Sequence, residues 1–339
     1  MNDKEEYLND KEKYLQELRE RIEEQRTENE RQRAIFKQTN DAQELKSALK
    51  IMSSLDNPNL YEKARLIVLD STQDAELRIL ALKKLGSGIA DYGAIQETAL
   101  SILKDQQDDA TVRMSALSAL QAEAFSSPKF STNKAEFMSL LRQVLSDSNA
   151  DLRVRAAEHL ALEKDEFVQR KLLDEIKSGD SFLVNRAKAI QLLGHDLHAE
   201  HYPILRGILR EEKATITEKN EAILALCNDT NSKELLKEIT IDKSMPKKLR
   251  ISGANALCAQ NPYIFETIAK TIVVDEKEDQ DMRILCLNNL MQQTNSERLQ
   301  ADDEFGEQLR RIKGVRKSPK LKKLSRQYIN KTKRGPKGN

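Results

Sequence analysis

Apolar residues recur three and four positions apart along most of this chain, and inside that helical period one pattern returns seven times. An aliphatic residue is followed by Arg, a small residue stands three positions after the Arg, and Leu stands four beyond that. The clear copies are Leu77-Arg78 with Ala81 and Leu85, Val112-Arg113 with Ala116 and Leu120, and Leu152-Arg153 with Ala156 and Leu160. Two weaker copies follow, Asn185-Arg186 with Ala189 and Leu193, and Glu218-Lys219 with Ala222 and Leu226. Leu249-Arg250 with Gly253 and Leu257, and Met282-Arg283 with Cys286 and Leu290, complete the series. Successive basic residues stand 35, 40, 33, 33, 31 and 33 positions apart, a period of about 34 that belongs to repeat proteins.

Residues spaced by four share one helical face, and the middle residue of that face is Ala, Gly or Cys in all seven copies. A side chain that small lets another helix approach closely, so this face is the packed one. Amphipathic stretches at 92–104, 134–146, 166–177, 200–210 and 263–273 alternate with these helices, each the other arm of a hairpin. The longest spacing contains Phe125-Ser-Ser-Pro-Lys-Phe-Ser-Thr-Asn133, whose composition predicts a surface loop. Gly86-Ser87-Gly88 is predicted to end the preceding helix with a left-handed cap. With only 11 Gly and 7 Pro to make turns, the chain reads as all-α: an α-solenoid, or superhelix, of about seven to eight helical hairpins.

The run Asp74-Ala-Glu-Leu-Arg78-Ile-Leu-Ala81-Leu-Lys-Lys-Leu85-Gly86, with Asp109-Ala-Thr-Val-Arg113-Met-Ser-Ala116 and Asp279-Gln-Asp-Met-Arg283, resembles the second helix of a HEAT repeat, particularly the short, PBS-lyase-like variety. The resemblance extends over about residues 42 to 300 and implies a fold more than an activity. HEAT proteins include scaffolds, transport receptors, chromophore-lyase subunits and a metal-dependent hydroxylase. The turn Asp is replaced by Asn149 in the third copy and is missing from the fourth through sixth. Arg78, Arg113, Arg153, Arg186, Arg250 and Arg283 form the repeated ladder. The Asp four residues earlier is its regular partner in three copies, and the resemblance implies that these arginines tie neighbouring repeats together. The hydroxylases of this class use His-Glu pairs spread over several repeats; here Glu158-His159 runs in the reverse order, so that activity is not carried over. A lyase or metal-dependent enzyme subunit of the class remains the second alternative.

Composition fits a wide, shallow core, with 33% charged residues, 4% aromatics and no Trp in 339 residues. Charge changes the picture at the two ends. Residues 1–40 form a charged helix in which Leu8, Leu15, Ile22 and Phe36 are seven apart except for Asn29. Leu18 is the one good partner in the intervening positions, since Lys11, Gln25 and Gln32 fill the others. A single polar helix and a homodimeric coiled coil through residues 1–38 are both open.

The solenoid is assigned to 41–307, and 308–339 to a basic, flexible tail. That tail holds thirteen Lys or Arg and no Asp or Glu, against 56 basic and 55 acidic residues in the whole chain, so residues 1–307 carry a formal charge of 43 − 55 = −12. Arg316, Lys317, Lys320, Lys322, Lys323, Arg326, Lys331, Lys333 and Arg334 are its candidate contacts to nucleic acid, the ribosome or another polyanion. Competing readings are a solubilising end, an arm lying on its own acidic solenoid, a localisation signal in a nucleated cell, or an acidic membrane surface met through Leu321, Leu324, Tyr328 and Ile329.

Signatures of chemistry are absent: no GxGxxG, no phosphate loop, no GxSxG, no HExxH and no CxxC. His195, His198 and His201 beside Asp196 and Glu200 are residue types that hold zinc, but they span a turn and converge only if it curls. Exposed turn histidines are the expectation, and no metal or cofactor is assigned. Cys227, Cys258 and Cys286 lie inside helical patterns and read as small core residues rather than a disulfide set. The charged Met1–Glu6 stretch lacks the apolar run of a secretory signal, and no segment approaches a membrane span, so a cytoplasmic protein is expected, or a nuclear one in a eukaryote. The third position after each motif's first residue reads Leu80, Ser115, Arg155, Lys188, Glu221, Ser252 and Leu285. A surface so mixed suits protein recognition better than a phosphate track. The expected function is therefore a non-enzymatic protein-binding scaffold, with a tail-anchored nucleic-acid-associated protein as the first alternative.

Overall fold

The computed structural model describes residues 2–55, 57–86, 93–126, 128–195, 200–293, 303–311 and 318–333. Among them are eighteen α-helices and no strand, divided between two compact units, Met1–His159 and Leu160–Asn339. The first unit contains α1 (Asn2–Gln38), α2 (Ala42–Ile51), α3 (Pro58–Leu69), α4 (Ala75–Leu85), α5 (Gly93–Lys104), α6 (Ala110–Ser126) and α7 (Lys134–Val144). Helix α8 (Ala150–Leu162) spans the division. The second unit contains α9 (Glu166–Ser178), α10 (Arg186–Leu193), α11 (Tyr202–Arg210), α12 (Ile216–Ala225), α13 (Lys233–Ile241) and α14 (Lys247–Gln260). It continues with α15 (Pro262–Val274), α16 (Gln280–Gln293), α17 (Asp303–Arg311) and α18 (Pro319–Lys333).

Short polar residues start these helices by accepting the otherwise orphaned first N–H groups. Asp41, Asn57 and Asp74 cap α2, α3 and α4 in this way, and Asp165, Asn185 and Asn261 cap α9, α10 and α15. Thr215 and Glu218 make a reciprocal capping box on α12. Between caps, the amphipathic faces pair the helices into hairpins. In the first unit α3 packs on α4 and α5 on α6, while α2, α4 and α6 pack in succession. In the second, α9 packs on α10, α11 on α12, α13 on α14, α15 on α16 and α17 on α18, while α10, α12, α14, α16 and α18 follow one another. Each unit is a stack of helical hairpins, and the chain is an all-α solenoid.

The small motif position is what these stacks close on. Ala81, Ala116, Ala156, Ala189, Ala222, Gly253 and Cys286 are all buried, as are the seven leucines four residues beyond them. Five positions after the first motif residue a second apolar row is buried: Leu82, Leu117, Ala157, Ile190, Ile223, Ala254 and Leu287. At Gly253 the approach is close: a Cβ would stand 3.0 Å from Thr240 Oγ1 and 3.2 Å from Ile239 Cγ2. Thr240 cannot swing aside freely, because its hydroxyl donates to the Leu236 carbonyl at 2.7 Å. Gly253→Leu is therefore expected to destabilise the protein by about 1–3 kcal/mol through overpacking, seen as a lower urea midpoint with an unchanged m-value.

Three expectations are corrected. The segment around Phe125–Asn133 is not simply a surface loop: Pro128–Asn133 form a 3-10 turn whose Phe130 is buried edge-on against Phe137, with ring centroids 5.5 Å apart. The sequence signal of Ser, Pro and Asn marked the turn correctly but hid the one aromatic that anchors it. Gly86 ends α4 as expected but in right-handed geometry, with φ −53°; Ser87 and Gly88 lie outside the described residues, and among the described glycines Gly179 is left-handed at φ 82°. The heptad of α1 is divided by use, since Phe36 and Gln32 are buried while Tyr14, Leu15, Leu18 and Ile22 stay exposed. Asn29, the residue that breaks the heptad, exchanges two hydrogen bonds with Ser53, both at 2.9 Å.

The tail, expected to be flexible, is a docked helix over most of its described part. Residues 319–333 form α18, docked through buried Leu321, Ser325 and Tyr328 against α16 and α17. Phe305 of α17 meets the Tyr328 ring edge-on at 5.4 Å. The physical reason was in the spelling: Leu321-Lys322, then Ser325, then Ile329 is an eighth copy of the motif. Lysine-rich composition obscured a helical period that is intact beneath it.

Candidate interaction surface

The repeated arginines fix the surface on which anything could bind. Arg78 Nε donates to the Val68 carbonyl, ten residues back, at 2.8 Å, and its two terminal nitrogens grip Asp108, thirty residues ahead, at 2.6 Å each. Arg113 repeats this with the Leu103 carbonyl and Asp147, and Arg250 with the Thr240 carbonyl and both oxygens of Glu278. Each guanidinium thus closes its own hairpin and holds the turn of the following one. The Asp four residues earlier is not its partner. Asp74, Asp109 and Asp279 instead accept from the second and third N–H groups of their own helices.

Three rungs depart from the rule. Arg153 Nη1 turns back to the carbonyls of Asp147 and Ser148 in its own turn. Arg186 pairs with Glu211 through both carboxylate oxygens. Arg283 reaches the Val273 carbonyl at 2.9 Å, while its buried Nη2 has no hydrogen-bond partner among the described residues. Burial holds its guanidinium below the usual range, against the pull of Glu276, Asp275 and Glu278. In the paired rungs the arginines draw their carboxylates well below the ordinary range: Arg78 for Asp108 and Arg250 for Glu278. For Asp147 burial pushes upward, and the hydrogen bonds from Arg113 and the Asn149 N–H outweigh it.

With the guanidiniums consumed, the second helices offer a different surface. Between α4 and α6 lies an open groove of about 600 Å³, lined by Ile79, Lys83 and Gly86 from one helix and Thr111, Met114, Ser115, Ser118, Ala119, Ala122 and Glu123 from the other. Ser115, Ser118, Ala119 and Ala122 make part of this lining small and uncharged, and Lys83 and Glu123 add opposite charges. On the same helices a second inter-repeat series appears that the sequence reading missed. Gln121 pairs with Arg155 Nε at 2.8 Å, Asn220 with Ser252 at 2.7 Å and Asn255 with Asn289 at 3.0 Å. Polar residues recurring 32 to 34 positions apart were the available signal.

The other candidates resolve into ordinary roles where they are described. His195 is exposed and His201 is buried at the start of α11, while His198 and Asp196 lie outside the described residues. Among the described residues no group of three or more His, Cys, Asp or Glu side chains could hold a metal ion. His159 of the Glu158-His159 pair packs edge-on against Phe137. Cys286 fills the small position of α16, and burial, with the charge of Glu278, pushes its thiol up to about 12; a thiol so held stays protonated and is no nucleophile. No described helix is long and apolar enough to cross a membrane.

Of the tail cations, Lys320, Lys322, Lys323 and Arg326 are exposed on α18, and Lys331 Nζ, also exposed, donates to the Met291 carbonyl at 2.9 Å. Arg316, Lys317 and Arg334, with the side chain of Lys333, lie outside the described residues.

No family model matches this sequence, and no curated protein matches it. Among solved structures the chain is similar to human deoxyhypusine hydroxylase in complex with glycerol, at 14% identity and a TM-score of 0.32, over 74% of this chain and 99% of that one.

Proposed function

We propose that this chain is a non-enzymatic, protein-binding scaffold of the HEAT-repeat class, and that the groove between α4 and α6 receives an extended segment of its partner. The observation that carries the reading is the character of that groove: wide, open and lined in part by Ser115, Ser118, Ala119 and Ala122, with the nearby Arg78 and Arg113 occupied by Asp108 and Asp147 rather than offered to a ligand. Small side chains leave room for a partner backbone, while Ile79 and Met114 give its apolar side chains contact area. Many weak contacts of this kind sum over a repeat surface without one dominant residue.

The double variant Ser118→Arg, Ala122→Arg places two long charged side chains one helical turn apart across the groove. Affinity purification from the native cell with the full chain and with this variant is expected to lose one set of captured proteins while circular dichroism stays unchanged. An identical set from both proteins would remove the groove from consideration.

A further inference from the structure

Helix α18 repeats the motif of the other second helices but inverts one of their faces. In α14 and α16 the residue five positions after the first motif residue is a buried apolar one, Ala254 and Leu287; in α18 it is Arg326, exposed. The ladder position itself, buried Arg250 and Arg283 in those helices, is Lys322, also exposed, and Lys323 replaces the buried Ile284. Three exposed cations therefore stand at positions that α16 buries, two of them apolar there and one a ladder arginine, and none of the three forms an ion pair among the described residues.

We propose that this basic face of α18 binds the phosphodiester backbone of nucleic acid, without reading its sequence. Several observations favour that occupant. Stacking another hairpin, or another copy of this chain, on the face would bury Lys323 and Arg326, which is costly without matched carboxylates. Insertion into a lipid surface needs the apolar side of the helix, and Leu321 and Tyr328 are already buried against the protein. Lys322 and Arg326 stand one turn apart, about 6 Å along the axis, and contribute to a run of thirteen cations with no acid from Gln308 to Asn339. A linear array of like charge matches a linear polyanion better than a single carboxylate does. Tyr328 is buried, so this face has no aromatic platform for stacking bases, and the contact is to phosphate alone. Residues 1–307 carry a formal charge of −12, which disfavours a polyanion on the rest of the chain.

The test is fluorescence anisotropy of the full chain with labelled single-stranded RNA, single-stranded DNA and duplex DNA of about 20 nucleotides, between about 50 and 200 mM salt. Its counterpart is the Lys322→Gln, Lys323→Gln, Arg326→Gln triple variant, checked for unchanged helicity. The expected result is salt-dependent binding by the full chain, an affinity at least about tenfold lower in the variant, and a slope of log K against log salt reduced by about 2–3. The three oligonucleotides separate RNA from DNA and single strand from duplex. Equal binding by the two proteins overturns the proposal. So does no binding by the full chain, competition by polyglutamate as effective as by the oligonucleotides, or binding to phosphatidylserine vesicles in their place.

Discussion

Arg113→Ala is expected to lower stability by about 3–5 kcal/mol, because it leaves a buried carboxylate without its counter-charge. The side chains of Arg113 and Asp147 are 3% and 1% exposed, so water cannot replace the lost guanidinium. The Leu103 carbonyl loses its side-chain donor at 3.0 Å in the same stroke. Chemical denaturation measures the effect, and Arg170→Ala is the control. Arg170 pairs with Glu166 at similar distance, but with side chains 75% and 79% exposed, where ion pairs contribute about 0–1 kcal/mol.

The buried pairs also set a pH dependence. Asp108, Asp147 and Glu278 all have depressed values in the folded chain, so they bind protons less tightly folded than unfolded. Their contribution is complete above the unfolded values, about 3.9 for Asp and 4.3 for Glu, and is lost as pH falls through the lower folded values. Stability should be level near neutrality and decline below about pH 4. In Arg113→Ala the main opponent of burial at Asp147 is gone, so the decline should begin at higher pH.

Phe137→Ala is expected to cost about 3–5 kcal/mol through the cavity it leaves. Phe137 is fully buried and sits edge-on to both Phe130 and His159, at 5.5 and 5.3 Å, so its removal frees the 3-10 turn as well as the first helix of that hairpin. Because each repeat contacts only its neighbours, the loss should be local. Hydrogen exchange is expected to accelerate across α6 to α8 and to leave α14 to α16 unchanged; uniform acceleration would show that the chain unfolds as one cooperative block.

Periodicity made the second helices legible from sequence, because a small residue every 34 or so positions has no simpler cause than close helix packing. The predicted stretches at 134–146 and 166–177 become α7 and α9 almost residue for residue. Pairings between repeats were less legible. Asp74 and Arg78 are neighbours in sequence, which suggested a bond, but Asp74 is occupied by backbone N–H groups while Arg78 points toward the following turn. Sequence distance gives no warning of that. Helix α18 was hidden for a different reason: Lys and Arg have good helix propensity, so a basic run can be a docked amphipathic helix as readily as a solvated arm. Only the spacing of Leu321, Ser325 and Ile329 distinguishes the two. The groove had no signature at all, being made of residues defined by their smallness and by two helices brought together.

The direction of the arginine rungs bears on how such a chain changes length. Asp108 and Arg113 sit five residues apart in one turn and helix, Asp108 receiving from Arg78 in the hairpin behind and Arg113 reaching Asp147 in the hairpin ahead. A hairpin of this kind copied in tandem brings one acceptor and one donor, and meets its own duplicate with both satisfied. A copy cut between the acid and its arginine brings in an orphaned buried charge. Growth and shrinkage by recombination are thereby quantised in whole hairpins.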